Sequence, residues 1–353
     1  MPEITDVFAP NAFDAYSLTA AIQKIPHAPT MVGDMGLFRE IPVATTLVGI
    51  EESQGKLTLV PSTPRGGPGI PAQDSKRVVT PFKVPHFQLD DAVMADDVIN
   101  VRTFGGSGVS PAADAVGRKL ASMRRSVDVT NEYCRHQAIM GKIIYPDDSV
   151  DSDIDLYTEF GLTNQATDEN KLDFLWGTAT TKIAETVIPQ IYDKIEAALG
   201  GTPYTGIVAL CGRTFFRNLI GQATVKALYL QQLQQWNLSA VTMAPGTQRR
   251  MSVNINGVTF VEYYGKVGTS SGEANDGTFQ VTAEAKAFPV GADIFHSYVA
   301  PADTIEAAGT MGQPVYARSW PREDGKSLAL EVQSNILHIC TRPKALVNLY
   351  SSN

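Results

Sequence analysis

The chain has 353 residues, with 29 basic and 37 acidic side chains and a formal charge of −8. At about 150 residues per domain it is long enough for two domains or one large one with a real core. No apolar run reaches the ~18–20 residues of a membrane span, Met1–Asp6 lacks the pattern of a signal peptide, and an acidic total argues against a dedicated nucleic-acid binder.

In chain order, residues 1–40 show little periodicity beyond a short helix at 19–25. Pro26, Pro29, Gly33 and Gly36 follow, so this part reads as an extended arm outside any compact core. Residues 43–50 and 56–60 read as strand, and 77–84 as a second strand. Between them, 61–71 holds four Pro and three Gly, which no sheet or helix interior accommodates. The whole reads as a long two-stranded ribbon with an irregular tip. It has too few apolar side chains to bury itself and needs a surface to lie on.

Residues 110–141 carry the clearest helix. Ser110 suits an N-cap, Pro111 the first helical position and Asp114 the positive end of the dipole. Val116, Leu120, Met123, Val127, Thr130, Cys134, Ala138 and Gly141 recur at spacings of three and four, a narrow apolar stripe. About 30 residues at ~1.5 Å each make a spine of roughly 45 Å. Further on, Ile183, Val187, Ile191 and Ile195 mark a helix that Pro189 should kink or divide and Gly200-Gly201 should stop. A strand at 206–211 and a helix from about 213 to 235 continue a compact α/β unit. Strands are expected at 258–264, 278–281, 327–332 and 336–340.

Charge is segregated. Residues 147–169 hold Asp147, Asp148, Asp151, Asp153, Asp155, Glu159, Asp168 and Glu169 and no base, a strip of −8. Residues 56–83 hold Lys56, Arg65, Lys76, Arg77 and Lys83 against Asp74, a net +4. Separated strips of opposite sign suit contacts between copies of one chain, although two solvated faces would look the same.

Motifs for chemistry fall short. Gly268-Thr269-Ser270-Ser271-Gly272 fits G-x-S-x-G, but a loop and not a helix follows it. Asp151, Asp153 and Asp155 have calcium-loop spacing, but Leu156 and Leu162 stand where Gly and Glu are required. Gly105-Gly106-Ser107-Gly108 precedes a helix without the P-loop lysine. The five histidines have no ligand spacing, and the three tryptophans read as core anchors. Cys134, Cys211 and Cys340 are distant from one another and set among apolar residues, which favours free thiols in a reducing compartment. No catalytic residue, cofactor or metal is expected.

What remains is an architecture: arm, ribbon, spine helix, α/β unit and returning strands, giving an α+β fold. That order resembles the HK97-like fold of tailed-phage major capsid proteins. It resembles more closely the lambda-type major capsid protein E family. The residues that carry the likeness are 60–67 with Arg65-Gly66-Gly67, then Thr80-Pro81 and Lys83-Val84-Pro85-His86, and Gly141-Lys142 after the helix. A second group is Ala317-Arg318, Trp320, Gln333-Ser334, Leu337, Pro343 and Val347. The resemblance implies an N-terminal arm (1–39), an extended β-hairpin loop (40–100) and a peripheral domain with the spine helix (101–159). An axial α/β domain (160–316) and a C-terminal return to the peripheral domain (317–353) complete it.

It implies self-assembly as hexamers and pentamers into an icosahedral head around double-stranded DNA, without sequence-specific binding or a membrane. Scaffold, portal and decoration or cement proteins are the implied partners, and assembly in the host cytoplasm the implied setting. Lys56, Arg65, Gly66, Gly67, Lys76, Arg77 and Lys83 of the ribbon, and Asp147, Asp148, Asp151, Asp153, Asp155 and Glu159 of the strip, are the candidate inter-subunit contacts. An encapsulin-like compartment of the same fold is the alternative.

Overall fold

The structure is a computed structural model that describes residues 15–25, 30–53, 77–95, 97, 112–143, 154–162, 170–176, 183–222, 225–226, 251–263 and 283–352. The ribbon tip with Lys56, Arg65, Gly66, Gly67 and Lys76, the acids Asp147, Asp148, Asp151 and Asp153, the 105–108 and 268–272 motifs, the 278–281 strand and Trp236 lie outside the described residues.

Helix periodicity is realised most fully in the spine helix, Ala112–Ile139. Val116, Leu120, Met123, Val127, Cys134 and Ala138 are buried along one stripe, as their spacing requires. Its second half is buried on a further face too: Asp128, Asn131, Glu132, His136 and Gln137 are all nearly inaccessible. The reason is that this half runs between two layers, with strand 336–340 on one side and the short helix Met31–Asp34 on the other.

The strands, in chain order, are β1 (Arg39–Pro42), β2 (Leu47–Ser53), β3 (Arg77–Lys83), β4 (Phe87–Met94), β5 (Lys142–Ile143), β6 (Ile154–Asp155), β7 (Lys171–Asp173), β8 (Gly206–Cys211), β9 (Ser252–Ile255), β10 (Val258–Glu262), β11 (Ala285–Val290), β12 (Phe295–Val299), β13 (Tyr316–Pro321), β14 (Ser327–Ser334), β15 (Ile336–Cys340) and β16 (Val347–Tyr350). A six-stranded sheet runs β7-β16-β11-β8-β10-β9. Its β7/β16 and β8/β10 pairs are parallel and the rest antiparallel. Smaller sheets are β1-β12-β15 and β13-β14-β4, with the pairs β2-β3 and β5-β6.

Two cores result. The larger covers the six-stranded sheet with the helices Ile188–Leu199 and Arg213–Gly221, which bury Ile188, Ile191, Ile195 and Leu199, and Phe215, Phe216 and Leu219. Pro189 divides its helix as expected: a π-helical turn, Ile183–Val187, precedes it, and the α-helix starts around the proline. Gly200, at φ +60°, ends that helix in the left-handed conformation. The smaller core joins Leu18 and Ile22 of an arm helix, Ala15–Lys24, to Val116–Val127 of the spine and to Val93, Ala317, Leu328, Leu330 and Val332.

Several elements depart from the sequence reading. The arm is not outside the core over residues 15–25. Leu18 and Ile22, one turn apart, bury themselves against the spine, and the Thr19 hydroxyl donates to the Ala317 carbonyl (3.1 Å) and accepts from its N–H (3.2 Å). The expected 43–50 strand begins only at Leu47, as β2, and β1, which ends at Pro42 just before the expected run, belongs to a different sheet. The helix expected to 235 stops at Gly221, whose successor Gln222 is extended; 227–250 lie outside the described residues. Finally, β16 completes the six-stranded sheet by pairing Ala285 with Leu349 and Ala287 with Val347. Residues beyond 316 thus supply a strand to the sheet built mainly by residues 160–316.

Candidate assembly surfaces

The ribbon begins on a firm root. In the β2–β3 pair, Leu47 faces Lys83 and Ser53 faces Arg77. Alternation turns Val48, Ile50 and Phe82 inward, where Phe82 meets Phe160 with ring centroids 5.9 Å apart. Leu47 and Val79 turn outward and stay 62% and 56% exposed. The surface that the ribbon needs is, at its base, the chain's own larger core.

Two of the described charged candidates, Lys83 and Glu159, lie at this root. Lys83 follows Phe82 and is exposed. Glu159 precedes Phe160 and is also exposed. The basic and acidic segments therefore meet within one chain at the Phe82–Phe160 contact. Asp155 is spent locally: its carboxylate accepts the Tyr157 N–H (3.0 Å) and caps the short helix Leu156–Glu159. Arg77 closes the described ribbon at the register position of Ser53.

Three groupings were not singled out from sequence. Glu132 on the spine accepts the N–H groups of Val32 (2.8 Å) and Gly33 (3.1 Å) and the Tyr263 hydroxyl (3.3 Å). One buried carboxylate thus ties the arm-side turn, the spine and the end of β10 together. On the outward face of β13–β14–β4, Arg318 donates to Glu331 at 2.6 Å and lies 4.9 Å above the Trp320 ring, which is 40% exposed. Trp320 is therefore no core anchor. Its position on an edge strand puts it opposite Ala329 on that outward face. Trp176, by contrast, packs with Phe174 and Phe215. In the 301–315 loop, Ile305 is 96% exposed and Met311 64%. Only the loop's Gly/Ala-rich composition hinted at a surface segment.

Burial governs the ionisable interior. Burial pushes the Cys134 and Cys340 thiols up to about 12 and raises Cys211 well above the ordinary thiol range, so none is a nucleophile at neutral pH. Burial holds the Lys286 amine down at about 7 and His338 well below the usual imidazole range. Among the described residues no group of three or more His, Cys, Asp or Glu is placed to hold a metal ion, and no helix is long and apolar enough to cross a membrane.

A family model described as phage major capsid protein E matches residues 14–350. The chain is 27% identical over 346 residues to the major capsid protein of Pseudomonas phage KPP10, covering 96% of each. It is 24% identical over 361 residues to the major capsid protein of Salmonella phage Felix O1, again over 96% of each. Its fold is similar to that of a prophage protein of E. coli CFT073 described as a capsid protein, with TM-score 0.59, 14% identity and coverage of 96% of this chain and 99% of that one. It is also similar to a phage-related protein of Bordetella bronchiseptica RB50, with TM-score 0.54, 12% identity and coverage of 96% and 97%. The fold is HK97-like, as the order of arm, ribbon, spine and α/β sheet suggested. With a match that runs through every one of those parts, from residue 14 to residue 350, the chain belongs to the phage major capsid protein E family.

Proposed function

We propose that the chain is the major capsid subunit of a tailed double-stranded DNA phage, assembling as hexamers and pentamers into the icosahedral head. The observation that carries this reading is the family match over residues 14–350. The architecture supports it: a ribbon rooted in the core through Phe82 leads into residues 61–71, whose four Pro and three Gly no sheet or helix interior accommodates. The subunit acts by contact and performs no catalysis. The ribbon residues Lys56, Arg65, Gly66, Gly67, Lys76 and Arg77 of one copy contact the acids Asp147, Asp148, Asp151 and Asp153 of another. Scaffold, portal and decoration proteins complete the head, which forms in the host cytoplasm. The family match favours this over an encapsulin-like compartment.

Negative-stain microscopy of the expressed chain tests the reading. Uniform icosahedral shells are expected, alone or with a co-expressed scaffold. Stable monomers under all conditions overturn it. Shells that load a protein cargo and never DNA would move it to the encapsulin-like alternative.

A further inference from the structure

Lys286 is the most deeply buried charged side chain among the described residues, with no measurable exposure. It lies on β11 between Leu210 of β8 and Asn348 of β16, in the middle of the six-stranded sheet. Its Nζ is 3.3 Å from Tyr157 Oη and 5.5 Å from the centre of the Tyr157 ring. Tyr157 is equally buried, and its hydroxyl donates to the Leu346 carbonyl at 3.2 Å. Tyr157 therefore pins the segment 154–162 onto the sheet beside β16.

That segment is also joined to the spine. β6 pairs with β5, which follows the spine directly, and Leu156 N–H donates to the Gly141 carbonyl. Gly141 sits at φ +81°, and a Cβ there would come 2.5 Å from the Tyr157 ring. The Tyr157 ring thus closes the joint between spine and sheet, with Lys286 beneath it. The titratable and charged groups that act on the amine are Cys340 of β15, Glu284 just before β11, Asp155 of β6 and Lys142 of β5.

We propose that Tyr157 and Lys286 form a protonation-controlled latch: charging the amine releases the 154–162 segment from the sheet and loosens the joint at the end of the spine helix. A buried ammonium needs more hydrogen-bond acceptors than one phenol oxygen and a ring face supply. When 154–162 lifts, water reaches the amine and satisfies it. The sign follows from proton linkage. Burial holds the amine down at about 7 while the latch is shut, and contact with water returns it toward the ordinary lysine value of 10.5. The open form binds more protons between those values, so falling pH favours opening. The latch belongs to the folded chain itself and does not depend on the reading of its function.

Hydrogen exchange by mass spectrometry on the full-length chain tests it, with rates corrected for intrinsic exchange. Protection of 154–162, measured relative to 206–211, is expected to fall about tenfold per pH unit from pH 9 to 7 and to level off below. Lys286→Met should abolish that slope and raise protection at pH 7. Tyr157→Phe, which removes the hydroxyl and keeps the ring, should lower protection at every pH while keeping the slope. A pH-independent wild type overturns the latch, and so does an unchanged slope in Lys286→Met. If Lys286→Met does not fold, the wild-type profile and Tyr157→Phe still decide: unchanged protection in Tyr157→Phe removes the tyrosine from the device.

Discussion

Single buried polar residues hold this chain's layers in register. Glu132 satisfies two backbone N–H groups of the arm-side turn and the Tyr263 hydroxyl at once. Truncation would remove the carboxylate that accepts from these groups, and buried donors that lose an acceptor cost ~1–3 kcal/mol each. Glu132→Ala should therefore destabilise the chain by about 3 kcal/mol in chemical denaturation, and Glu132→Gln by clearly less, because one acceptor oxygen remains. His338 provides a second test. It is buried and neutral, its Nδ1 lies 2.7 Å from Ser297 Oγ, and burial, helped by the Arg135 charge, holds its pKa well below the usual value. Below about pH 6.5 the unfolded chain takes up a proton that the folded chain refuses, so stability falls with pH at up to ~1.4 kcal/mol per unit. Between pH 7 and 5, wild type should lose about 2 kcal/mol more than His338→Gln. Equal losses would remove His338 as the cause. Neither residue announced itself in the sequence. Glu132 sits where a helix would present it to solvent if only one face of the spine were covered.

At the scale of elements, the legible ones were those whose own periodicity determines their shape. The spine stripe, the proline that divides the Ile183–Leu199 run and the Gly200 stop are all local signals, and the structure realises each. The arm helix is the instructive exception. Ten residues make a marginal helix in isolation. What stabilises it is the burial of Leu18 and Ile22 against β13 and the spine, nearly 300 residues apart in the chain for the Thr19–Ala317 contact. Ile22→Ala should cost about 2–4 kcal/mol locally. Limited proteolysis should then cut within 15–25 much faster while the six-stranded core stays resistant. Uniform loss of resistance would mean that the two cores fold as one. β4 was likewise invisible beforehand. Its alternating Gln, Asp and apolar residues become a strand because β14 offers eight consecutive partners, from Phe87–Ser334 to Met94–Ser327.

For the whole molecule, opposite charges are carried on segments that meet at the Phe82–Phe160 root. Within one subunit, Lys83 and Glu159 flank that contact. In the proposed assembly Lys56, Arg65, Lys76 and Arg77 serve contacts with a neighbour. Reversing Arg65 and Arg77 to Glu should cut shell yield at least several-fold in sedimentation while leaving the subunit's circular dichroism and melting unchanged. Salt should mimic the effect, because contacts between exposed charges are screened within ~10 Å at 0.1 M. Undiminished shell yield in the double variant would assign those bases to a solvated face.

The sequence by itself determined the order of parts, the length and buried stripe of the spine, the thiols' burial and the family likeness. These follow from local periodicity, turn chemistry and collinear short motifs, all of which are readable along a line. Tertiary structure alone decided who pairs with whom: β16 with β11, the arm helix with β13, and Lys286 beneath Tyr157. Those contacts join residues more than a hundred positions apart, except β16 with β11 at about sixty. Local patterning specifies which face of an element is apolar, and says nothing about which distant face will cover it. The −8 total shows the same division: its split into two strips is sequence, and their meeting at one root is fold.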